Sequence, residues 1–334
     1  MEGAGTARAA GYSRAVAVTD RIAADYRVLT EECGLLDRSE HGKLALTGSG
    51  AKEFLEGQIT NAVEALSPGQ GVYAAFLTPK GKMLGDLLVL DLGDELFLDT
   101  ERSTLQALFN MIRRYRIGYD IELHKRTVER GMLSLIGPRA RAIAGADGLP
   151  DFEHANAAGE VDGHAVRVVV TDAGVDLICD ASDTAALADA LRGRGAQAVE
   201  EPAAEVLRVE AGRPRYGIDL DDTVIPQEAG LNDRAVSFTK GCYVGQETVA
   251  RLHYRGKPNR HLRGLRLTAP AAPGDELRRG EKAVGRLGTT VVSPRHGPIA
   301  LALVRREAEP GVSVEVGAGD VTAEVVELPF AASS

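Results

Sequence analysis

Strands and helices alternate along the chain through about residue 256 without the regular parallel rhythm of a doubly wound sheet. That irregularity points to an α+β fold. Val16 to Cys33 has helical spacing, with Ile22, Tyr26 and Leu29 on one side and Gly34 as the stop. Lys43 to Thr47 reads as a strand, and Ser49 precedes a helix over Ala51 to Ile59. Three strands follow at Val72–Leu77, Lys82–Leu92 and Glu95–Asp99, joined by the turns Thr78-Pro79-Lys80-Gly81 and Gly93-Asp94. Ser103 is placed to cap a helix whose apolar set is Leu105, Leu108, Ile112 and Tyr115. Strands are expected at Ile117–His124 and Met132–Ile136, then a short helix to about Ala144 and a polar, Gly-rich connection from Asp147 to Asp162. A hairpin over Ala165–Thr171 and Val175–Cys179 leads to a helix capped by Ser182. Another helix follows from Pro202 to Ala211, stopped by Gly212.

Beyond Gly256-Lys257-Pro258 the texture changes to short strands and Gly/Pro turns: Leu262–Leu267, Ala283–Val292, Ile299–Val304 and Val321–Leu328. That pattern suits a small antiparallel barrel. The 334 residues are enough for two or three domains. The first dozen, rich in Ala and Gly, read as a disordered extension without the apolar core of a signal peptide. Apolar runs such as Leu87–Leu90 are far too short to span a bilayer.

A formal charge of −9 and a pI near 5.4 argue against a general nucleic-acid coat. An anionic small ligand then requires a local cluster of cations, and one exists. Arg251, Arg255, Lys257, Arg260, Arg263 and Arg266 fall within sixteen residues that contain no acid. Arg251 and Arg255 are positioned to receive an anionic tail or an acidic protein face; the competing reading is a solvated linker. The three cysteines, Cys33, Cys179 and Cys242, include no C-x-x-C, so no zinc or iron–sulfur ligand spacing is present. Their odd number suits a reducing, cytoplasmic compartment better than a disulfide framework.

The residues richest in chemistry lie between Leu207 and Arg263. Were a helix to begin near Tyr243, Cys242 would adjoin its N-terminus, where free N–H groups favour a thiolate, and Lys240 would add positive charge. The alternative for Cys242 is a small buried thiol in a glycine-flanked turn. Cys33 and Cys179 sit in apolar contexts and read as core. Glu210, at a helix end beside Gly212, is suited to accept two parallel hydrogen bonds from an amidine-like ring edge, or else is a solvated carboxylate. Tyr216 is either a stacking partner for such a ring or a core-edge tyrosine.

Lys240-Gly241-Cys242-Tyr243-Val244-Gly245-Gln246-Glu247, with Val249-Ala250-Arg251 and Tyr254-Arg255-Gly256-Lys257, resembles the signature of the YgfZ family of folate-binding proteins. Glu210-Ala211-Gly212-x-Pro214 and Pro226-x-Glu228-Ala229-Gly230-Leu231 resemble the wider glycine-cleavage T-protein (aminomethyltransferase) superfamily. Gly57-Gln58-Ile59-Thr60-Asn61 and Thr78-Pro79-Lys80-Gly81-Lys82-Met83 fit as well. The resemblance spans roughly Leu35 to Leu328. It implies three domains around a central cavity that holds tetrahydrofolate: 1–48 plus 137–258, an inserted 49–136, and a barrel over 259–334. It also implies a role in maturing or maintaining iron–sulfur proteins, which would then be the partners alongside folate. Under it, Glu210 matches the folate-ring carboxylate, Arg234 an arginine near the folate, and Lys240 and Cys242 the functional motif, with Cys242 as the reactive thiol.

One departure bears on function. The T-protein's catalytic aspartate lies in a Gly-x-x-x-Asp-Asp strand, and alignment on Gly81 puts Gly85 at the first aspartate and keeps Asp86. Successive strand residues face opposite sides, so Asp86 would replace the lost side chain only across a bulge. Three functions compete on these residues, and the Cys242 motif together with the lost aspartate favours the first over aminomethyl transfer. One is a tetrahydrofolate-binding accessory factor for iron–sulfur assembly or repair. The second is a folate-dependent aminomethyl or methyl transferase. The third is a non-catalytic module that docks an acidic partner on the basic run.

Overall fold

In the computed structural model the described residues are 20 to 331. The extension expected over the first dozen residues, and the first turn of the helix expected from Val16, lie outside them. Helix α1 covers 20–31 and leads into a six-stranded sheet. Its strands, in spatial order, are β11 (Gln197–Ala198), β1 (Gly34–Asp37), β7 (Arg130–Ile136), β10 (Gly174–Asp180), β9 (His164–Val170) and β8 (Asn156–Val161). All its pairings are antiparallel except β1 with β11. Helices α4 (Ala140–Ala144) and α5 (Thr184–Gly193) cover one face, where Leu135, Val175, Leu177, Leu187 and Leu191 form a core.

A second sheet has the order β3 (Gly71–Leu77), β4 (Met83–Asp91), β5 (Leu96–Thr100), β2 (Gly42–Thr47) and β6 (Glu122–Lys125). Its core joins Leu44, Phe54, Phe76, Val89 and Leu98 to Leu108 and Ile112, with α2 (Ala51–Glu56) and α3 (Leu105–Tyr115) laid against the sheet. Strand β2 belongs to this sheet, which therefore begins before residue 49, the start expected for the inserted unit. The two sheets meet through Leu90 and Phe97 on one side and Met132, Val169 and Ile178 on the other.

Residues 260–326 close into an antiparallel barrel in the order β12 (Arg260–Leu267), β15 (Gly297–Arg305), β14 (Lys282–Ser293), β13 (Glu276–Arg279), β16 (Ser313–Val316) and β17 (Val321–Val326). The barrel was legible as a class; β13 and β16, four residues each, were not anticipated. Helix α6 (Glu201–Glu210) begins with Pro202 in its first turn and stops before Gly212, as its sequence indicates. Val209 of α6 packs on Leu262, Ile299, Leu301 and Phe330, which seats the barrel against it. The short α7 (Asn232–Ala235) and α8 (Gln246–Arg255) complete the chain.

Three local expectations are corrected. Gly34 opens strand β1 instead of simply ending a helix, and residues 156–161 form β8 instead of a polar connection. Helix α3 has Thr104, not Ser103, at its N-cap, and the Thr104 hydroxyl donates to the Glu101 carbonyl at 2.9 Å. No helix among the described residues is long and apolar enough to cross a membrane.

Candidate functional site

Two cavities lie where the sheets, α6 and the barrel converge, and Ile136, Asp172, Ala173, Leu207 and Ala211 line both. The larger, about 630 Å³, has apolar walls from Leu29, Val170 and Phe330, with Glu210 and His296 among them. The smaller, about 330 Å³, is lined by Tyr73, Asp86, Tyr216 and Arg234 together with several further arginines and carboxylates. Both volumes fall within the range of small-molecule sites.

Glu210 closes α6 and is only 8% exposed. The Tyr26 hydroxyl from α1 lies 2.9 and 3.1 Å from its two carboxylate oxygens, and the Ser293 hydroxyl from β14 donates to Oε1. The Ser293 oxygen in turn accepts the backbone N–H groups of Arg295 and His296 at 3.0 and 2.9 Å. The carboxylate is therefore held by two elements distant in sequence, α1 and β14, not left solvated at a helix end. Burial, reinforced by the adjacent Glu210, pushes the Tyr26 phenol up to about 12, so it stays a donor at neutral pH.

Asp86 occupies the smaller cavity, 7% exposed, with the Tyr73 hydroxyl donating to Oδ2 at 2.5 Å. Burial is the main reason its carboxyl is raised to about 6; the Tyr73 hydrogen bond opposes that rise and nearby Glu101 adds to it. The Arg234 guanidinium stands 5.2 Å from the Tyr73 ring centroid and pairs with Glu153. Tyr216 lines the same cavity, and its hydroxyl donates to the Met83 carbonyl at 3.2 Å. Of the residues singled out in sequence, Asp86, Tyr216 and Arg234 thus line the smaller cavity, and Glu210 lines the larger one, which shares five wall residues with it.

Gly85 tells a different story from the one its alignment suggested. A Cβ there would sit 2.7 Å from the Phe76 ring and 2.9 Å from Thr104 Cβ, so a side chain at 85 would enter the core. The β3–β4 register steps from Phe76↔Gly85 to Leu77↔Met83, leaving Leu84 unpaired in a bulge. The cavity-facing carboxylate is Asp86, and it is present. A glycine at 85 therefore does not deprive the cavity of a carboxylate.

Lys240 also departs from expectation. Its side chain is 1% exposed, and the ammonium donates to the carbonyls of Glu56, Ile59 and Asn61 at 2.5, 2.9 and 2.9 Å, with the Glu56 carboxylate at 3.5 Å. It anchors the loop and does not serve as a free cation for the thiol. Cys242 is exposed, while Cys33 and Cys179 are buried as expected. Helix α8 starts at Gln246 with Gly245 as its N-cap, so Cys242 precedes the cap by three positions and does not adjoin the helix end. Arg251 and Arg255 are exposed on α8 and line neither cavity. The later cations of the run are fold contacts: Arg260 pairs with buried Glu228, Arg263 with Glu327, and Arg266 donates to the Ala331 carbonyl.

Residues 1–240 match the family model described as the GCVT N-terminal domain, and 260–331 match the glycine cleavage T-protein C-terminal barrel domain. The chain belongs to the glycine cleavage T-protein family. Among T-protein relatives, an aminomethyltransferase of Geobacillus kaustophilus is 29% identical over 331 residues, covering 92% of this chain and 90% of the relative. A chloroplastic protein of Arabidopsis thaliana named as a transferase is 28% identical over 310 residues, 89% of this chain and 71% of its own. The fold matches the crystal structure of the glycine cleavage system aminomethyltransferase T of Bartonella henselae with a TM-score of 0.83. That match has 24% identity and covers 93% of this chain and 89% of the other.

Tyr26, Tyr73, Ser293 and His296 were not identified as site residues from the T-protein-like sequence. Tyr26 and Ser293 reach Glu210 from segments far apart in the chain, for which no local motif exists, while Tyr73 and His296 line the cavities themselves.

Proposed function

We propose that this protein binds tetrahydrofolate in the paired cavities and supports folate-dependent one-carbon transfer of the aminomethyl or methyl type. The observation that carries the reading is Asp86, a buried carboxylate projecting into the cavity with its proton affinity raised to about 6. A group tuned this way holds a proton near neutral pH and can pass it to or from an amine at the reacting carbon. The residues also suit the ligand. An ionised carboxylate offers roughly four acceptor positions, and the hydroxyls of Tyr26 and Ser293 take two of those on Glu210, leaving about two for the paired N–H groups of a pterin edge. Apolar walls from Leu29, Val170, Leu207 and Phe330 suit the faces of a planar ring. When bound, tetrahydrofolate supplies the nitrogen that accepts the one-carbon unit.

Calorimetric titration of the parent and Glu210→Gln with tetrahydrofolate tests the binding, and turnover of aminomethyl and methyl donors tests the chemistry. Binding weakened by Glu210→Gln, with turnover abolished in Asp86→Asn, supports the reading. A clean absence of turnover across donors despite folate binding refutes the transferase part.

That second outcome would favour an accessory role in iron–sulfur assembly or repair in the cytoplasm. Its support is the exposed Cys242 in the YgfZ-like motif, the one exposed thiol among the described residues. Installing Cys242→Ala in cells and measuring iron–sulfur enzyme activities under oxidative stress tests it; unaltered activities would rule it out.

A further inference from the structure

The barrel reaches into the larger cavity through the turn between β14 and β15, and what it delivers there is built rather than incidental. Ser293 donates to Glu210 Oε1 while its oxygen collects the N–H groups of Arg295 and His296. The backbone of His296 is therefore fixed, through one hydroxyl, to the carboxylate expected to read a ligand. The His296 ring lines the same cavity, tilted 34° to the Phe330 ring with centroids 5.9 Å apart. Its Nδ1 is buried and has no hydrogen-bond partner among the described residues. Among those residues no hydrogen bond reaches its Nε2 either, which leaves that nitrogen to a molecule in the cavity.

A half-buried imidazole that lines a cavity without a protein partner is available for hydrogen bonding to a molecule held there. Desolvation lowers its proton affinity, which keeps it neutral and able either to donate or to accept as the tautomer requires. A neutral imidazole next to a carboxylate is suited to a heterocycle that presents two N–H donors and, along the same edge, a further ring nitrogen or oxygen.

We propose that His296 is a specificity-determining residue of this cavity, reading through Nε2 the heterocycle edge whose paired N–H groups Glu210 accepts. The inference rests on the folate reading above and deepens it. It assigns recognition of the ring to the barrel as well as to α6, and makes the barrel part of the ligand site.

The test is calorimetric titration of the full chain, its His296→Ala variant and its His296→Gln variant. Two probes are used: tetrahydrofolate, and p-aminobenzoylglutamate, which carries the tail without the heterocycle. Loss of one hydrogen bond to the ring should weaken tetrahydrofolate binding by about tenfold in His296→Ala. His296→Gln, which still offers a donor and an acceptor, should recover part of that loss, and p-aminobenzoylglutamate should bind all three proteins alike. Tetrahydrofolate binding that is unchanged in His296→Ala with a cooperative melt overturns the role of His296 and leaves the folate reading standing. An equal weakening for both probes overturns it too, since the effect would not be specific to the ring. Failure of the parent itself to bind tetrahydrofolate removes the folate reading and this inference together.

Discussion

Gly81 and Gly245 face each other with no room for a side chain on either. A Cβ on Gly245 would lie 2.6 Å from the Thr78 carbonyl oxygen and 3.1 Å from Gly81 Cα; one on Gly81 would lie 2.8 Å from Thr248 Cβ. Both have positive φ, +85° and +75°. The turn that leads into the Asp86 strand is thus seated directly on the N-cap of α8, at the end of the Cys242 loop.

Gly245→Ala should therefore destabilise the protein by about 2 kcal/mol or more, from left-handed backbone strain and the clash together. Gly241→Ala, where a Cβ meets nothing within 4 Å, is the control and should be close to neutral. Thermal melts of the two variants check this. A Gly245→Ala melt equal to the parent's would show that the two loops separate freely.

Lys240 and Cys242 are expected to behave as different kinds of residue despite sharing a motif. Lys240→Met strips three carbonyls and Glu56 of a buried cation and should cost about 3 kcal/mol. Cys242→Ala changes an exposed side chain and should stay within about 0.5 kcal/mol of the parent. Denaturant unfolding of both variants measures the contrast, and comparable losses would contradict the assignment.

Asp86 should leave a signature in the pH dependence of stability. Its folded-state value of about 6 lies above the ordinary aspartate value of 3.8, so the folded chain binds its proton more tightly than the unfolded one. The associated stabilisation is fully present below about pH 4 and is lost as pH rises through 6, up to about 3 kcal/mol. Asp86→Asn should flatten that part of the profile and be at least as stable as the parent at pH 8. Melting temperatures from pH 4 to 8 decide it, and identical profiles for the two proteins would contradict the burial argument.

Ser293→Ala removes a donor from Glu210 and the acceptor that organises the Arg295–His296 turn. Tetrahydrofolate affinity should fall about tenfold, with Ser293→Thr retaining most of it. Titration of both variants is the measurement; a Ser293→Ala protein that binds like the parent would show that the turn is held by other contacts.

Much of the architecture was readable from local chemistry. The Pro202 start and Gly212 stop of α6, the turn at Thr78–Gly81, and the Gly/Pro texture of the barrel are signals carried by neighbouring residues. Strand β8 escaped because an edge strand with Gly159 and an exposed middle lacks the alternating pattern that marks a buried one. The setting of Lys240 is hidden for a related reason: its partners are carbonyls from Glu56 to Asn61, supplied some 180 residues upstream, and nothing beside it in sequence announces them. Asp86 is legible as a candidate that needs a bulge, but the bulge at Leu84 is not, because it depends on pairing with β3. Glu210 was legible as a carboxylate in need of a partner; the hydroxyls that orient it come from α1 and β14.

The hydrogen bond from Ser293 to Glu210, and that from the Phe330 N–H to the Glu210 carbonyl at 2.9 Å, have a meaning in time as well as in space. A chain made from its N-terminus presents α6 long before the barrel exists. During synthesis the larger cavity stands as an open half-shell, its Glu210 side finished and the wall from His296 and Phe330 missing. It closes only when residues near 330 have left the ribosome, so a nascent chain passes through a stage at which both sheets can be in place while that cavity is still open.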